Sequence, residues 1–292
     1  MKVPDRITQQ SGRFAMVDGI AFQLPVSCQP SPVILAAFSV DADAAATLLP
    51  GNELFPLRLL DKGLLVLTVV NYKGTSIGNY IEFSIAIACT HGTEPAPPLL
   101  PTILSGYYQT GQFVVDLPVS TEISVKGGRG IWGMPKHQAN LSFEESNEAI
   151  MAQYEVDGTL GMALRVARPG GPAVPLSLSV ASYAHFRGIL FKAYLYFEGK
   201  ANIAVNKAKA AQLVLGDHPR VAPLQKLKIA RDPVFTACLP EARGILDDHF
   251  EGWFVTSQSV IAQPDEGLST VVCLGLGKEW LPPPKIKVDF GT

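Results

Sequence analysis

Charged residues are scarce in this chain, and neither sign dominates. Of its 292 residues only 17% are Asp, Glu, Lys or Arg, and 24 Lys and Arg stand against 26 Asp and Glu, for a net charge of -2. Without an excess of positive charge, we expect neither nucleic acid nor an anionic membrane as a partner. The hydrophobic content of 47% is too high for a disordered chain. A folded protein that binds small molecules is the class that remains.

Cysteine is also sparse, and its spacing carries no signal. Cys28, Cys89, Cys238 and Cys273 form no Cys-x-x-Cys pair, which argues against a zinc site or a thioredoxin-like motif. The five histidines show no paired spacing, so we expect neither a metal nor another cofactor. The beginning of the sequence lacks the apolar run of a signal peptide, and no uninterrupted apolar stretch of about 18 residues occurs. We therefore expect a cytoplasmic protein without a membrane span.

What the sequence does contain is a β-type pattern. Its 26 Gly and 23 Pro separate short segments in which apolar and polar residues alternate with a period of two. This pattern predicts nine strands, at Val33–Val40, Leu64–Tyr72, Ile81–Cys89, Phe113–Val119, Ala139–Phe143, Ala149–Val156, Met162–Ala167, Leu190–Phe197 and Ala201–Val205. Two short helices are predicted at Asp41–Leu49 and Pro219–Leu227.

Many strands with few crossover helices and no composition break indicate one mainly β domain over residues 1–292. The architecture that fits best is a closed or nearly closed antiparallel β-barrel with a few short helices at its periphery. We expect about residues 1–20 to form an arm or a frayed tail.

The predicted strand Ile81–Cys89 has one bulky face and one small face. Ile81, Phe83, Ile85 and Ile87 alternate with a second set that consists of Glu82, Ser84, Ala86 and Ala88. Small residues around a carboxylate leave room for a ligand inside a barrel. The alternative is that Glu82 faces solvent on an outer strand.

Two well-known motifs occur without the context that they require. Gly74–Gly78 matches the Gly-x-Ser-x-Gly nucleophile elbow, but a β-type alternation follows it in place of a helix. Gly128–Gly133 matches Gly-x-Gly-x-x-Gly, which binds a pyrophosphate only where a helix begins. Pro135 and the extended pattern after it argue against such a helix. We expect a hairpin loop at the first motif and no dinucleotide site at the second.

Lys136 follows glycines, Trp132, Met134 and Pro135 in a segment that has few other ionisable residues. Proline fixes its own φ and favours an extended conformation in the residue before it, so the lysine extends from a stiff backbone. If Lys136 is buried among apolar side chains, desolvation disfavours its ammonium form, and a neutral amine is a nucleophile toward ketones. The alternative is that Lys136 extends its ammonium group into water, as most lysines beside apolar residues do.

The segment Arg129–His137 resembles the active-site segment of the acetoacetate decarboxylase family, in which Arg-Glu leads to Pro-Lys-Lys and the first lysine forms a Schiff base. Gly78–Glu82 resembles the Gly-x-Tyr-x-Glu motif of the family, whose glutamate lies in the pocket. Phe38–Asp41 with Leu49–Pro50 is similar to an early family segment, and Gly216–Leu224 is similar to a late one. These matches follow the family order and span roughly residues 30 to 255.

The chain departs from the family pattern at four positions. His137 replaces the second lysine, and Gly130 replaces the glutamate after Arg129. By spacing, Ser31–Pro32 corresponds to an N-terminal arginine of the family, and Leu67 corresponds to a further pocket glutamate. These departures leave the substrate and the reaction open.

The resemblance implies a β-barrel, a homo-oligomer, and a carbon–carbon lyase that decarboxylates acetoacetate or a related 3-oxo acid through an imine on Lys136. Glu82 would move protons, and the residues with implied roles in substrate binding or in tuning the amine are Tyr80, Arg129, Trp132, Met134 and His137. For His137, a place on the outer wall of the barrel is the alternative. Two other functions stay open: an imine-dependent aldolase or dehydratase that acts on an oxo acid, and a non-catalytic barrel that binds a small ligand.

Overall fold

The computed structural model describes residues 3–10, 12–256 and 281–291, and most of them are in β-strands. Within these residues the strands are β1 (Arg13–Val17), β2 (Ile20–Leu24), β3 (Val26–Asp41), β4 (Leu54–Pro56), β5 (Lys62–Tyr72), β6 (Tyr80–His91), β7 (Gly111–Val119), β8 (Lys136–Gln138), β9 (Asn140–Glu145), β10 (Ala149–Val156), β11 (Thr159–Ala167), β12 (Val174–Phe186), β13 (Ile189–Val205), β14 (Ala211–Leu215), β15 (Pro233–Leu246) and β16 (Glu251–Phe254). The helices are α1 (Asp5–Gln9), α2 (Ala42–Ala46), α3 (Leu100–Ile103), α4 (Glu122–Trp132) and α5 (Ala222–Gln225), and a 3-10 turn spans Pro219–Val221. Of the four cysteines, Cys273 lies outside the described residues, and the other three are free thiols.

Seven strands close into a barrel. Their order is β6, β5, β3, β15, β13, β12 and β7, and β7 pairs again with β6. The predicted barrel is therefore confirmed. Neighbouring strands within the barrel are antiparallel except for β7 and β12, which run parallel. This exception arises because the chain between β7 and β12 is a long crossover that contains α4 and three strands of a second sheet, and parallel neighbours require such a crossover.

The second sheet has the strand order β14, β11, β10 and β9, and it covers part of the outer wall of the barrel. The largest hydrophobic core combines side chains of this sheet with barrel residues such as Leu65, Leu67, Phe83 and Ile85. The bulky face of β6 therefore points out of the barrel into this core. The opposite face, which carries Glu82, points into the barrel.

The sequence analysis missed some strands and divided another. The predicted strands Leu190–Phe197 and Ala201–Val205 are parts of the single strand β13, whose pairing shifts register between Glu198 and Asn202. The barrel strands β12 and β15 were not predicted. β12 is mostly exposed over its first seven residues, without a regular alternation, and β15 shifts register between Leu239 and Ala242, around an internal proline. Both features disturb the period of two on which strand prediction depends.

Both predicted helical segments contain helix, and three helices, α1, α3 and α4, were not predicted. In the first, Asp41 caps α2 by accepting hydrogen bonds from the backbone amides of Asp43 and Ala44, at 3.1 and 3.0 Å. The second contains the 3-10 turn followed by α5. The longest of these is α4, an 11-residue element that includes three glycines. Glycine lowers helix stability by about 1 kcal/mol relative to alanine inside a helix. The sequence of α4 therefore has a low helix propensity.

Residues 3–10 and 12–24 overlap the predicted arm, and they lie against the rest of the protein. Arg6 donates two hydrogen bonds to the buried carboxylate of Asp247, at 2.8 and 2.6 Å. Ile7 and Phe22 are buried. Among the described residues, no helix is long and apolar enough to span a membrane.

Candidate active site

Lys136 is the first residue of β8, and the end of α4 sets its position. The helix ends at Gly133, whose φ of 63° is left-handed, a conformation that glycine adopts without strain. After Met134 and Pro135 the chain enters β8, which pairs with β7 so that Lys136 lies beside Leu117. Lys136 is only 8% exposed and lines a cavity inside the barrel. The structure thus places it in the cavity wall and not in open water.

Three side chains surround the amine. Lys136 Nζ lies 2.7 Å from Oε2 of Glu82, donates a hydrogen bond to Oγ of Ser124 at 2.9 Å, and lies 5.4 Å from the centre of the Tyr80 ring. Glu82 comes from β6, Ser124 from α4 and Tyr80 from the beginning of β6. Because three partners hold Nζ, its position is fixed before any substrate binds.

The stem of Lys136 lies directly against Gly128 of α4. A Cβ at position 128 would lie 2.4 Å from Cδ and 2.7 Å from Cε of Lys136, which is closer than van der Waals contact allows. Any side chain at this position would therefore displace the lysine. The glycines of the Gly-x-Gly-x-x-Gly pattern thus serve packing and the end of a helix, since α4 ends at this motif and does not begin there.

Two tyrosines flank Glu82, the buried Tyr80 and the half-buried Tyr72. Tyr72 donates a hydrogen bond from its hydroxyl to Oε1 of Glu82 at 3.4 Å, and its ring centre lies 4.6 Å from that of Tyr80. Burial and the neighbouring carboxylate raise the pKa of Tyr72 and of Tyr80 well above the usual tyrosine range. Both phenols therefore stay protonated near neutral pH, and Tyr72 can act as a hydrogen-bond donor to the carboxylate.

The cavity has a volume of about 410 Å³ and a mainly apolar wall. Among its described lining residues, Glu82 and Lys136 are the one carboxylate and the one basic side chain. Since these two charges are opposite and in contact, the cavity offers no spare cation to a second anionic group. Hydroxyl and amide groups of residues such as Thr68, Ser84 and Gln112 add a few uncharged polar contacts.

The residues singled out in the sequence separate into two groups in the structure. Tyr80, Glu82, Met134 and Lys136 all line the cavity. His137, Arg129 and Trp132 do not. Tertiary structure brings the four members of the first group together from β6 and from the segment between α4 and β8.

His137 lies on the opposite face of β8 from Lys136, because adjacent residues of a strand point to opposite sides. Its Nε2 lies 3.1 Å from a carboxylate oxygen of the buried residue Asp116, and Arg220 lies 3.6 Å from the same carboxylate. His137 therefore belongs to a polar cluster behind the cavity wall. This matches the alternative that placed it on the outer wall of the barrel.

Trp132 and Arg129 belong to α4. The indole of Trp132 is buried in a hydrophobic cluster that includes Met134, and its Nε1 donates a hydrogen bond to the carbonyl oxygen of Asp247 at 2.9 Å. Arg129 is half-buried on the last turn of the helix. Trp132 thus anchors the end of the helix that positions Lys136.

Sequence reasoning missed Ser124 and Tyr72. Ser124 and Gly128 are four residues apart, which puts them on one face of a helix, so a correct prediction of α4 would have placed both beside the same neighbour. Tyr72 is the last residue of a strand that was predicted, but its contact with Glu82 depends on the pairing of β5 with β6, in which Tyr72 lies opposite Tyr80. The Gly74–Gly78 motif lies in the loop between these two strands, as expected for a hairpin connection.

Known proteins resemble the chain in sequence pattern and in fold. The family model described as acetoacetate decarboxylase matches residues 16–189. A comparison with curated proteins gives no match.

Three solved structures show the same fold. The acetoacetate decarboxylase from Legionella pneumophila is 15% identical, with a TM-score of 0.54 and coverage of 80% of this chain and 87% of that one. The enduracididine biosynthesis enzyme MppR in complex with pyruvate is 14% identical, with a TM-score of 0.56 and coverage of 79% and 91%. An acetoacetate decarboxylase-like enzyme from Sphingomonas wittichii RW1 is 14% identical, with a TM-score of 0.50 and coverage of 80% and 95%.

Proposed function

The chain belongs to the acetoacetate decarboxylase family, and from this premise we propose that it is a carbon–carbon lyase that decarboxylates acetoacetate or a related 3-oxo acid through an imine on Lys136. The observation that carries the proposal is the contact between Lys136 Nζ and Glu82 Oε2, at 2.7 Å, in the wall of a mainly apolar cavity. A buried amine beside a proton acceptor is the arrangement that imine formation requires. Acetoacetate decarboxylase itself is a standard example of an enzyme whose lysine nucleophile is activated in such a site.

The reaction begins with a proton transfer. An ammonium group has no free electron pair, so Lys136 must lose a proton before it attacks the ketone. The Oε2 atom of Glu82 is within hydrogen-bond reach to accept that proton. The hydrogen bond that Lys136 donates to Ser124 holds the amine in place, and the one that Glu82 accepts from Tyr72 holds the carboxylate.

The remaining steps follow from the chemistry of an imine. Nζ adds to the carbonyl carbon, and the resulting carbinolamine loses water to give a protonated imine. The bond between the carboxylate and the adjacent carbon then breaks, and its electron pair moves toward the imine nitrogen, which releases CO2 and leaves an enamine. Protonation of the enamine carbon and hydrolysis of the imine release the shorter ketone and free Lys136. Glu82 returns the proton it accepted at the start to the hydroxyl group that leaves the carbinolamine as water, and the proton that the enamine carbon gains comes from a water molecule.

The electrostatics of the cavity favour loss of the carboxylate. Since the described lining provides no cation besides Lys136, a substrate carboxylate would lie in apolar surroundings and near the negative charge of Glu82. Such surroundings destabilise the localised charge of the carboxylate more than the dispersed charge of the transition state.

An imine-dependent aldol or dehydration reaction is the second candidate. The specific observation in its favour is the fold similarity to MppR, whose structures contain pyruvate or the condensation product of pyruvate and imidazole 4-carboxaldehyde. This reaction uses the same Lys136 imine but forms or breaks a different bond.

Product analysis distinguishes the two reactions. Purified protein is incubated with acetoacetate in one vessel and with pyruvate plus an aldehyde in another. Release of CO2 and acetone above the spontaneous rate supports the decarboxylase, and a new carbon–carbon bond supports the aldolase. Neither product in either vessel, across a panel of 3-oxo acids, contradicts the proposed lyase and favours a ligand-binding barrel.

A further inference from the structure

The cavity is long, and Lys136 lies near one end of it. Its lining residues on β5 extend from Tyr72 to Val66, a step of six residues, and those on β6 extend from Tyr80 to Ala88. Six residues of strand cover about 20 Å at ~3.3 Å per residue, and the usual tilt of barrel strands reduces this to roughly 15 Å along the axis. A four-carbon substrate bound to Lys136 would leave the Ala88 end of the cavity empty.

The wall between the two ends is mainly apolar, and its polar members include Thr68 and Ser84, which lie opposite each other on β5 and β6. Side chains such as Val66, Val70, Val114, Leu195 and Phe197 line this stretch. Polar groups return at the far end, where Gln112 pairs in register with Ala88 and donates a hydrogen bond to Oγ of Ser182 at 3.4 Å. A mainly apolar wall with few polar groups favours a ligand whose middle part is mostly hydrocarbon.

The charges in the cavity limit the ligand further. Since the two charged lining residues neutralise each other, a second anionic or cationic group on the ligand would be buried without a partner, at a large cost in free energy. The part of the ligand beyond the reacting centre is therefore uncharged.

We infer that the physiological substrate carries an extended, uncharged apolar chain, which lies along β5 and β6 toward Ala88 while the carbonyl carbon reaches Lys136. This inference rests on the proposed imine chemistry, since it assigns one end of the cavity to the carbonyl group. It makes the substrate a longer-chain oxo compound and not acetoacetate itself.

A series of methyl ketones tests the inference directly. The protein is incubated with acetone, 2-butanone, 2-hexanone and 2-octanone in turn, and cyanoborohydride reduces any imine by adding hydride to its carbon. Each buried methylene contributes about 0.8 kcal/mol, so the ketone concentration that gives half-maximal trapping is expected to fall roughly fourfold for each added methylene. The readout is the amount of Lys136 adduct measured by mass spectrometry.

Two variants locate the chain within the cavity. Ala88→Phe fills the far end. The half-maximal trapping concentration is therefore expected to stop falling at a shorter ketone than in the wild type. Ala208→Phe is the matched control, because Ala208 is exposed and lies outside the cavity wall, and its series is expected to match the wild type. The wild-type series decides the question even if Ala88→Phe does not fold.

The outcomes separate this inference from the proposed function. Adducts on Lys136 whose half-maximal concentration is independent of chain length, or rises with it, overturn the inference and leave the imine chemistry in place. The absence of any Lys136 adduct, with a known imine-forming enzyme trapped in parallel, overturns the proposed function and the inference that rests on it.

Discussion

At the scale of single residues, the position of Lys136 depends on contacts from separate parts of the chain. Ser124 and Glu82 contact its amine, at 2.9 and 2.7 Å, and Gly128 leaves the space that its stem occupies. Each contact makes a different contribution to an imine-forming site. Glu82 is the proton acceptor, Ser124 orients the nitrogen, and Gly128 permits the path of the side chain.

Replacing Glu82 by glutamine tests its role in proton transfer. Glu82→Gln keeps the size of the side chain but removes the carboxylate that can accept a proton. We expect the turnover number to fall by roughly 10²- to 10⁴-fold, as measured by CO2 release at saturating 3-oxo acid. Glu94→Gln is the control, since Glu94 is exposed and lies outside the cavity. Wild-type turnover in Glu82→Gln would remove Glu82 from the mechanism.

Replacing Gly128 by alanine tests whether the path of the lysine stem matters. Because the added methyl group would lie 2.4 Å from Cδ of Lys136, the amine must shift, and a misplacement of about 1 Å can reduce turnover by roughly 10²-fold. Alanine is the better helix former by about 1 kcal/mol, which offsets part of the overpacking, so we expect activity to fall more than thermal stability. Gly170→Ala is the control, since no atom lies within 4 Å of an added Cβ there. Equal activity in the two variants would contradict the assigned contact.

At the scale of secondary-structure elements, the site is built where α4 ends and β8 begins. The left-handed Gly133 ends the helix, Trp132 anchors it to the carbonyl of Asp247, and pairing with β7 places Lys136 beside Leu117. The N-terminal elements add support from outside, since Phe22 of β2 packs against Gly127 and Val17 of β1 packs against Gly130.

The contact between α1 and Asp247 has a predictable dependence on pH. Burial by itself would raise the pKa of Asp247, but the hydrogen bonds from Arg6 and from the amide of His249 outweigh this effect and lower it below its usual range. A carboxyl group whose pKa is lower in the folded state stabilises the protein above its unfolded pKa of about 3.9, and this stabilisation is lost as the pH falls through the folded pKa.

Removing Arg6 tests this contact. We expect Arg6→Met to lower the free energy of unfolding by about 1 to 3 kcal/mol at pH 7, with the difference from wild type shrinking as the pH falls below about 4. Denaturant unfolding at several pH values measures this. The control is Arg58→Met, because the partner of Arg58 is the exposed residue Asp43 and such surface pairs contribute about 0 to 1 kcal/mol. A pH-independent effect of Arg6→Met would show that the ion pair is not its cause.

The element level also shows what the sequence could predict. Strands with a clear alternation, such as β5 and β6, were predicted because one face of each packs in the core and that pattern is local. Helix α4 was not predictable, because its glycines are suited to contacts with Phe22, Lys136 and Val17 that form only in the folded protein. The pairing of Lys136 with Glu82 was accessible through resemblance to a family, whereas the partners Ser124 and Tyr72 depend on tertiary structure.

At the scale of the whole molecule, the barrel separates a hydrophobic core from a cavity. Bulky side chains on the outer wall pack against the second sheet, and smaller side chains on the inner wall leave about 410 Å³ of space. This division lets the protein keep a well-packed core and still contain a cavity with a buried lysine. The polar cluster of His137, Asp116 and Arg220 lies outside this cavity, so the chemistry inside depends on few charged groups.

The central claim is that Lys136 forms an imine with a ketone substrate, and reductive trapping tests it most directly. The wild-type protein and the variant Lys136→Arg, which keeps the positive charge but lacks a nucleophilic amine, are each incubated with acetoacetate and borohydride and then digested for mass spectrometry. The account predicts a stable adduct on the Lys136 peptide of the wild type and no adduct at position 136 of the variant. A wild-type Lys136 peptide that stays unmodified, while a known imine-forming enzyme is fully trapped under the same conditions, would contradict the account.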